Sequence, residues 1–166
     1  ANRVALIEVD RDREKEKITY RDLHQRSKHF DFALQEQGFS RNDKLSIIMS
    51  NQSKWIITAV GLFLSNGTLI PLDYKLSPQD QLKLLTHSES KFLVIEYPLW
   101  KRMVGVDTDH VLKNIKVFVT DAPYTEKFAA NTFHWETSQS KPCTDIESTA
   151  GRDEVACIVY SSGTGG

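Results

Sequence analysis

Short apolar runs rich in β-branched residues alternate along this chain with segments of helical periodicity. The runs are LSIIM at 45–49, TLIPL at 68–72, FLVIE at 92–96 and IKVFVTD at 115–121. Such runs are typical of strands buried on both faces, and strands separated by helices pair in parallel through right-handed crossovers. The alternation predicts an α/β fold, a mostly parallel sheet flanked by helices. The proline in TLIPL places that strand at an edge or an end of the sheet.

The segments between these runs carry helix start and stop signals. Thr19 and Asp22 have the spacing of a capping box, and Ser77 is followed by a proline suited to the first helical position. Asn51 is expected to cap the second helix, and Gly38 is expected to end the first. The predicted buried face of the first helix comprises Tyr20, Leu23, Ser27, Phe30 and Leu34.

Four further segments complete the predicted organisation. Residues 4–9 and the region near Ile18 are expected to form a short hairpin around a charged turn, and residues 98–112 are expected to be helical. Residues 121–153 are polar, with few apolar repeats, and predict an irregular excursion. EVACIVY at 154–160 restores the apolar pattern and predicts a last buried strand.

The charge balance and the apolar runs exclude two classes of partner. The 166 residues carry 21 basic and 22 acidic side chains, for a formal net charge of −1. This balance predicts neither nucleic-acid binding nor attraction to an anionic membrane. The longest apolar run, residues 55–64, is far shorter than the roughly 20 residues of a membrane-spanning helix, so no transmembrane segment is expected.

The cysteines and histidines give no sign of a disulfide framework or a metal site. Cys143 and Cys157 are the two cysteines, so a reducing, cytoplasmic location is expected. Cys157 lies inside VACIVY and is expected to act as a small buried hydrophobe. The histidines lack the short ligand spacing of zinc sites, and structural or surface roles are expected for all of them. They are His24, His29, His87, His110 and His134.

The chain ends on a run of small polar residues placed directly after the last apolar segment. Glycines let consecutive backbone N–H groups converge on an anion, and hydroxyls add donors without bulk. The run matches neither G-x-x-x-x-G-K-[ST] nor G-x-G-x-x-G. Gly/Ser-rich ends also occur as flexible linkers, so a phosphate-binding loop and a mobile tail both remain open at this point. The residues are Ser161, Ser162, Gly163, Thr164, Gly165 and Gly166.

Three segments in order resemble motifs of the adenylate-forming, or AMP-binding, superfamily. They are ITYRDL at 18–23, LFLSNGTLIPLD at 62–73 and DEVACIVYSSGTGG at 153–166. The superfamily includes acyl-CoA synthetases, adenylation domains of nonribosomal peptide synthetases, and luciferases. Its phosphate loop usually reads Y-T-S-G-T-T-G-x-P-K-G, so Gly165 stands where threonine is common, and the chain stops before Pro-Lys-Gly. The intervening YKLSPQDQLKLLTHSESKFLVIE is similar to the family's L-[ST]-P helix and the strand after it.

The resemblance implies a fold and a two-step reaction. Residues 1–166 would be the N-terminal part of an AMP-binding domain, within the large domain of an acyl-CoA synthetase-like enzyme. A small-molecule carboxylate attacks the α-phosphate of ATP and releases pyrophosphate, and a thiol, expected to be that of coenzyme A, takes the acyl group. Residues 161–166 would hold the β- and γ-phosphates, with Mg²⁺ bridging them.

The resemblance also implies that this part of the protein is inactive alone. In the family, the adenine and magnesium motifs, the hinge and the lysine of the small C-terminal domain lie downstream, so residues 1–166 are expected to contain no catalytic residue and no metal ligand. The alternative is a non-catalytic α/β binding or interaction module with a flexible Ser/Gly tail. A Rossmann dinucleotide domain is disfavoured because SNQSKW, after the first parallel strand, contains no glycine.

Overall fold

A five-stranded parallel sheet forms the centre of the computed structural model, which describes residues 2–141, 143 and 151–161. In chain order the elements are β1 (Val4–Asp10), β2 (Arg13–Thr19), α1 (Tyr20–Glu36), β3 (Lys44–Ile48), α2 (Ser53–Leu64), β4 (Thr68–Pro71), α3 (Pro78–Ser88), β5 (Phe92–Glu96), α4 (Tyr97–Val104), a 3₁₀ helix (Val111–Asn114), β6 (Lys116–Thr120), β7 (Thr132–His134) and α5 (Trp135–Ser138). The strand order in the sheet is β4-β3-β5-β6-β7, and a separate antiparallel hairpin, β1-β2, precedes the sheet. These observations confirm the predicted α/β class, the parallel pairing and the N-terminal hairpin.

Each face of the sheet is covered by its own group of helices. Successive residues of a strand point to opposite faces, so Phe92 and Val94 of β5 pack with α1, α2 and α5, whereas Leu93 and Ile95 pack with α3 and α4. Burial on both faces explains why the strands read as continuous apolar runs rather than as alternating ones. The chain leaves β3 for β4 on one side and returns across the sheet to β5 on the other, so β3 and β5 flank the point where the winding direction changes.

Most helix boundaries follow the sequence signals. Thr19 and Asp22 form a reciprocal capping box at the start of α1, and Gly38 follows that helix in the left-handed conformation, with a φ of 79°. Ser77 accepts a hydrogen bond from the Asp80 N–H at the start of α3. Within the predicted buried face of α1, Tyr20 is instead 58% exposed, because it lies in the first turn, at the edge of the helix interface.

Two other helix predictions are wrong in detail. Asn51 does not cap α2; the N-cap position is Gln52, and a carboxylate from β1 replaces the missing cap, since Glu8 Oε2 accepts from the Ser53 N–H at 2.8 Å. The predicted helix over residues 98–112 is divided, because α4 ends at Val104 and a 3₁₀ helix begins only at Val111.

Residues 121–153, expected to be an irregular excursion, contribute two elements to the described fold. Strand β7 adds to the edge of the sheet beside β6, with Phe118 opposite Phe133 in the register. Helix α5 buries Trp135, whose Nε1–H donates to Thr58 Oγ1 at 3.0 Å. Both elements are short, three and four residues, and lie among polar residues, so hydrophobic periodicity does not indicate them.

Candidate phosphate-binding site

Residues 155–158 run alongside β4 at the outer edge of the sheet. The Leu69 N–H donates to the Ala156 carbonyl at 2.8 Å, the Ile158 N–H donates to the Leu69 carbonyl at 2.9 Å, and Leu69 and Cys157 form a parallel bridge. The segment therefore points in the same direction as β4. Ser161 emerges at the edge of the sheet where the parallel strands end.

The prediction of a buried strand over residues 154–160 is wrong. Val155 is 59% exposed and Val159 is 70% exposed, and Cys157, expected to be buried, is exposed as well. The physical reason is position: within the described residues this segment has β4 as its single strand neighbour, so its outward-facing side chains lack a second layer. Its apolar composition alone does not distinguish an edge from the interior.

Two side-chain contacts hold the beginning of this segment. Arg41 and Glu154 form an ion pair that joins the segment to the turn before β3. Thr68 Oγ1 donates to the Val155 carbonyl at 2.9 Å, next to the backbone bonds of Leu69. These contacts fix the residues that precede the Ser/Gly run.

A second attachment lies at the end of the segment. His87 Nδ1 and the Tyr160 hydroxyl oxygen are 2.8 Å apart, and the two rings make an edge contact with centroids 5.7 Å apart. His87 belongs to the last turn of α3, and Tyr160 is partly buried against the core formed by α3 and α4. This pairing is not visible in the sequence because the two residues are 73 positions apart.

Ser161 is exposed and lies at the mouth of a cavity of about 420 Å³. Residues 71–73 line one side of the cavity, and Asp80, Lys83 and Leu84 of α3 line the other. Asp73 and Asp80 outnumber the single lysine, so the cavity wall itself is a poor environment for a polyphosphate. Of the six residues predicted to bind phosphate, Ser161 is the one that the structure places; Ser162, Gly163, Thr164, Gly165 and Gly166 lie outside the described residues.

The ionisable side chains near the ends of β3, β5 and β6 have hydrogen-bond or ion-pair partners. Glu96 Oε1 accepts from the Ser50 N–H at 2.5 Å and from Gln52 Nε2 at 3.0 Å. Lys54 Nζ lies 2.5 Å from Asp121 Oδ1, and it also bonds a carboxylate of α5. Burial would lower the pKa of Lys54, but these two hydrogen bonds outweigh it and raise the pKa. The charged Lys54 side chain thus joins α2 to Asp121, the residue after β6, and to α5.

Metal-ligating side chains do not cluster in the described ranges 2–141, 143 and 151–161. No group of three or more His, Cys, Asp or Glu side chains there is arranged to hold a metal ion. Among the helices of the same ranges, none is both long and apolar enough to cross a membrane.

Comparison with known proteins decides the family. A family model described as AMP-binding enzyme matches residues 1–166, the whole chain. The chain belongs to the AMP-binding enzyme family. This membership confirms the resemblance drawn from the ITYRDL, LIPLD and YSSGTGG motifs.

Individual relatives of this AMP-binding chain include a CoA ligase and a bacitracin synthase. It is 36% identical over 74 residues to 4-hydroxybutyrate–CoA ligase 2 of Metallosphaera sedula, which covers 45% of this chain and 14% of that protein. It is 26% identical over 154 residues to bacitracin synthase 3 of Bacillus licheniformis, which covers 92% of this chain and 2% of that protein.

A solved structure shows the same fold. The acyl-CoA synthetase of Brucella canis superposes with a TM-score of 0.84 at 19% identity, over 99% of this chain and 29% of that one. The AMP-binding chain therefore spans less than a third of each of these three proteins.

Proposed function

We propose that this chain is the N-terminal part of an AMP-forming acid–thiol ligase that converts a small-molecule carboxylate into a thioester through an acyl-adenylate. The observation that carries the proposal is the position of Ser161 in a chain of the AMP-binding enzyme family. The residue leaves the β4 edge at the carboxyl end of a parallel sheet, and open α/β sheets bind ligands at that end.

The first chemical step needs a site that stabilises the leaving pyrophosphate and keeps the α-phosphorus in line with the attacking carboxylate oxygen. In the proposal, the backbone N–H groups and hydroxyls of residues 161–166 bind the β- and γ-phosphates. The carboxylate oxygen forms the new bond to the α-phosphorus, the bond to the β-phosphate oxygen breaks, and pyrophosphate leaves. A thiol sulfur then attacks the acyl carbon, and AMP leaves.

The surroundings of Ser161 favour binding by the loop rather than by the cavity beside it. Asp73 and Asp80 make the cavity wall net negative, so the phosphates are placed on the amides of the Ser/Gly run, which carry no opposing charge. Mg²⁺ enters the proposal as the ion that accompanies the ATP phosphates. As the family resemblance implies, the proposal assigns the protein ligands of Mg²⁺ to another part of the enzyme.

We propose further that the 166 residues alone catalyse nothing. The chain spans 29% of the solved acyl-CoA synthetase that it superposes on. The cavity beside Ser161 is lined by the exposed Asp73 and Asp80 and by Lys83, and the imidazole of His87 is hydrogen-bonded to Tyr160. Adenine binding, the acyl pocket and thiol delivery are assigned to residues outside this chain. The cytoplasmic location expected from the cysteines stays a prediction.

Coenzyme A is the proposed acyl acceptor. A relative with 36% identity is named a CoA ligase, which supports this choice, whereas the peptide synthase relative keeps a carrier-protein thiol as the second candidate. The identity of the carboxylic acid has to be determined by experiment, because the proposal assigns its binding pocket to residues outside this chain.

The test is product analysis by mass spectrometry on the longer protein that contains this chain. Carboxylates of increasing length, incubated with ATP and Mg²⁺, are expected to yield an acyl-adenylate for at least one acid, and added coenzyme A is expected to convert it to a thioester. If an acyl-adenylate forms but added coenzyme A does not convert it to a thioester, the thiol of a carrier protein becomes the favoured acceptor. The absence of any adenylate across the panel would favour the non-catalytic binding module.

A further inference from the structure

The contact between His87 and Tyr160 stands at the point where the described chain enters the Ser/Gly run. The ring nitrogen Nδ1 and the phenol oxygen are 2.8 Å apart, and the rings meet at an interplanar angle of 72°. Tyr160 directly precedes Ser161, so the contact acts on the first residue of the proposed phosphate loop. No other side-chain hydrogen bond of Tyr160 is seen among the described residues.

The contacts of the preceding residues leave the position of Ser161 to depend on Tyr160. Residues 154–158 are held by the Arg41–Glu154 ion pair, by Thr68 and by two backbone bonds to Leu69. Val159, between those bonds and Tyr160, is 70% exposed. The direction in which Ser161 leaves the sheet edge is therefore set by the Tyr160 side chain and by the imidazole that holds it.

Helix α3 provides a rigid base for this attachment. The helix begins at a Ser77 cap, turns Leu82 and Leu85 into the core, and presents His87 in its last turn. It also follows the LIPLD motif along the chain, so one helix connects the end of β4 with the entrance of the loop. A side chain on a packed helix can fix a neighbouring loop more precisely than another loop can.

We propose that His87 is a positioning residue for the start of the phosphate loop: through Tyr160 it sets where Ser161, the first residue of that loop, meets the phosphates of ATP. The inference rests on the proposed function, in which residues 161–166 bind those phosphates. His87 itself touches neither ATP nor the carboxylate in this account.

The atom used by His87 predicts which substitutions rescue the function. Nδ1 is bonded to Cγ, and the side-chain amide of asparagine carries its polar atoms at the same position, whereas those of glutamine stand one bond further out. His87→Asn is therefore expected to keep the hydrogen bond, and His87→Ala and His87→Gln are expected to lose it. Tyr160→Phe removes the hydroxyl while keeping the ring contact.

The kinetic test is ATP–pyrophosphate exchange by the longer protein with a carboxylate that it accepts. Loss of one hydrogen bond that orders the loop is expected to raise the KM for ATP by about 3- to 10-fold in His87→Ala and in Tyr160→Phe. The KM for the carboxylate is expected to stay unchanged, and His87→Asn to restore the wild-type value. The double variant is expected to be no worse than either single variant, since both changes remove the same contact. His24→Ala, which removes an exposed histidine of α1, is the matched control.

A second measurement works without activity. Hydrogen exchange of the free protein, followed by mass spectrometry of the peptide containing residues 158–166, is expected to be faster in His87→Ala than in wild type and in His24→Ala. Unchanged exchange and an unchanged KM for ATP in His87→Ala would overturn the proposal. If wild-type protein shows no exchange of pyrophosphate with any acid, the proposed function fails, and the hydrogen-exchange result alone then decides whether His87 holds this segment.

Discussion

At the scale of single residues, Gly61 shows how closely α1 and α2 approach. A Cβ added there would stand 2.7 Å from the Ser27 carbonyl oxygen and 3.0 Å from a ring carbon of Phe30. A backbone oxygen cannot move aside cheaply. Gly61→Ala is therefore expected to lower the free energy of unfolding by about 1–3 kcal/mol, although alanine is the better helix former by about 1 kcal/mol.

Urea denaturation of the wild type and the variant measures this loss. Gly105→Ala is the control, because its added Cβ would meet its nearest neighbours at 3.5 Å and 3.6 Å, ordinary contact distances. The control is expected to change the stability by less than about 0.5 kcal/mol. A Gly61→Ala variant as stable as the control would show that the two helices are less tightly packed than described.

Asp31, fully buried in α1, predicts a pH dependence of stability. Burial raises the pKa of its carboxyl group and outweighs the hydrogen bonds from Ser65 and Gln35, which lower it. The folded state therefore binds a proton more readily than the unfolded state. The stability this group contributes is complete below its ordinary pKa and is lost as the pH rises through the raised folded value.

Asp31→Asn removes the charge and is expected to remove that pH dependence. Relative to the wild type, the variant is expected to become more stable on going from mild acid to neutral pH, as measured by urea denaturation at both. Asp109→Asn, at an exposed aspartate, is expected to leave the difference between the two pH values as in wild type. A constant offset between Asp31→Asn and wild type at both pH values would contradict the account.

Residue-scale predictions from the sequence succeeded where the cause is local. The Thr19 capping box, the Ser77 cap and the end of α1 at Gly38 each depend on neighbours within a few positions, and the structure confirms them. The prediction that Cys157 is buried was wrong, because burial depends on which strand lies at the edge of the sheet. No sequence pattern indicated the contact of His87, since its partner, Tyr160, lies 73 positions further along the chain.

At the scale of elements, the N-terminal hairpin stabilises the start of α2. The Glu8 side chain is 13% exposed and accepts from the Ser53 N–H and from Lys15 Nζ, which is 2.7 Å away. Burial would raise the pKa of Glu8, but these hydrogen bonds outweigh it and lower the pKa from 4.5 to about 2. A carboxylate at a helix N-terminus also interacts favourably with the helix dipole.

This shift predicts a loss of stability in acid. A depressed folded pKa contributes stability that is complete above 4.5 and is lost as the pH falls from 4.5 to about 2. Glu8→Gln is expected to be less stable than wild type by about 2 kcal/mol at neutral pH, after allowance for solvent screening. That difference is expected to vanish at the acid end of the same range.

Denaturation curves across this pH range check the prediction. Glu14→Gln on the same hairpin is the control, because Glu14 is 49% exposed and pairs with Lys17 at the surface. Exposed pairs contribute about 0–1 kcal/mol, so little change is expected. Equal losses in the two variants would show that Glu8 acts as an ordinary surface charge rather than as the cap of α2.

The sequence predicted which elements exist better than how they are tied together. Hydrophobic periodicity indicated β3 to β6 and the helices between them because each is an apolar unit of its own. It missed β7 and α5, which are too short to show a period, and it assigned the α2 cap to Asn51 because a cap from Glu8, 45 positions away, leaves no local pattern.

At the scale of the whole molecule, the AMP-binding match accounts for the order of the motifs. The pairing of residues 155–158 with β4 brings LIPLD and the first two residues of YSSGTGG, Tyr160 and Ser161, to the same edge of the sheet, with α3 beside both. The sequence could predict that the motifs occur in order, but not that the last strand-like segment is exposed at that edge. The candidate site was predicted from the family resemblance, whereas the contacts that hold the residues before it, Arg41–Glu154 and His87–Tyr160, are visible only in the structure.

We propose that residues 161–166 hold the phosphates of ATP in a carboxylate-activating enzyme. ATP–pyrophosphate exchange tests it most directly, in the longer protein, in its Thr164→Ala variant, and in the 166-residue chain by itself. Thr125→Ala, at an exposed threonine that lines neither the cavity beside His87 nor the one beside Ser161, serves as the control.

Carboxylate-dependent exchange is expected in the longer protein and in the control. A loss of about 10-fold or more is expected in Thr164→Ala, because a donor to the phosphates is removed, and no exchange above background is expected in the 166-residue chain. Exchange at the wild-type rate in Thr164→Ala, or exchange by the 166 residues alone, would contradict the proposed role of residues 161–166.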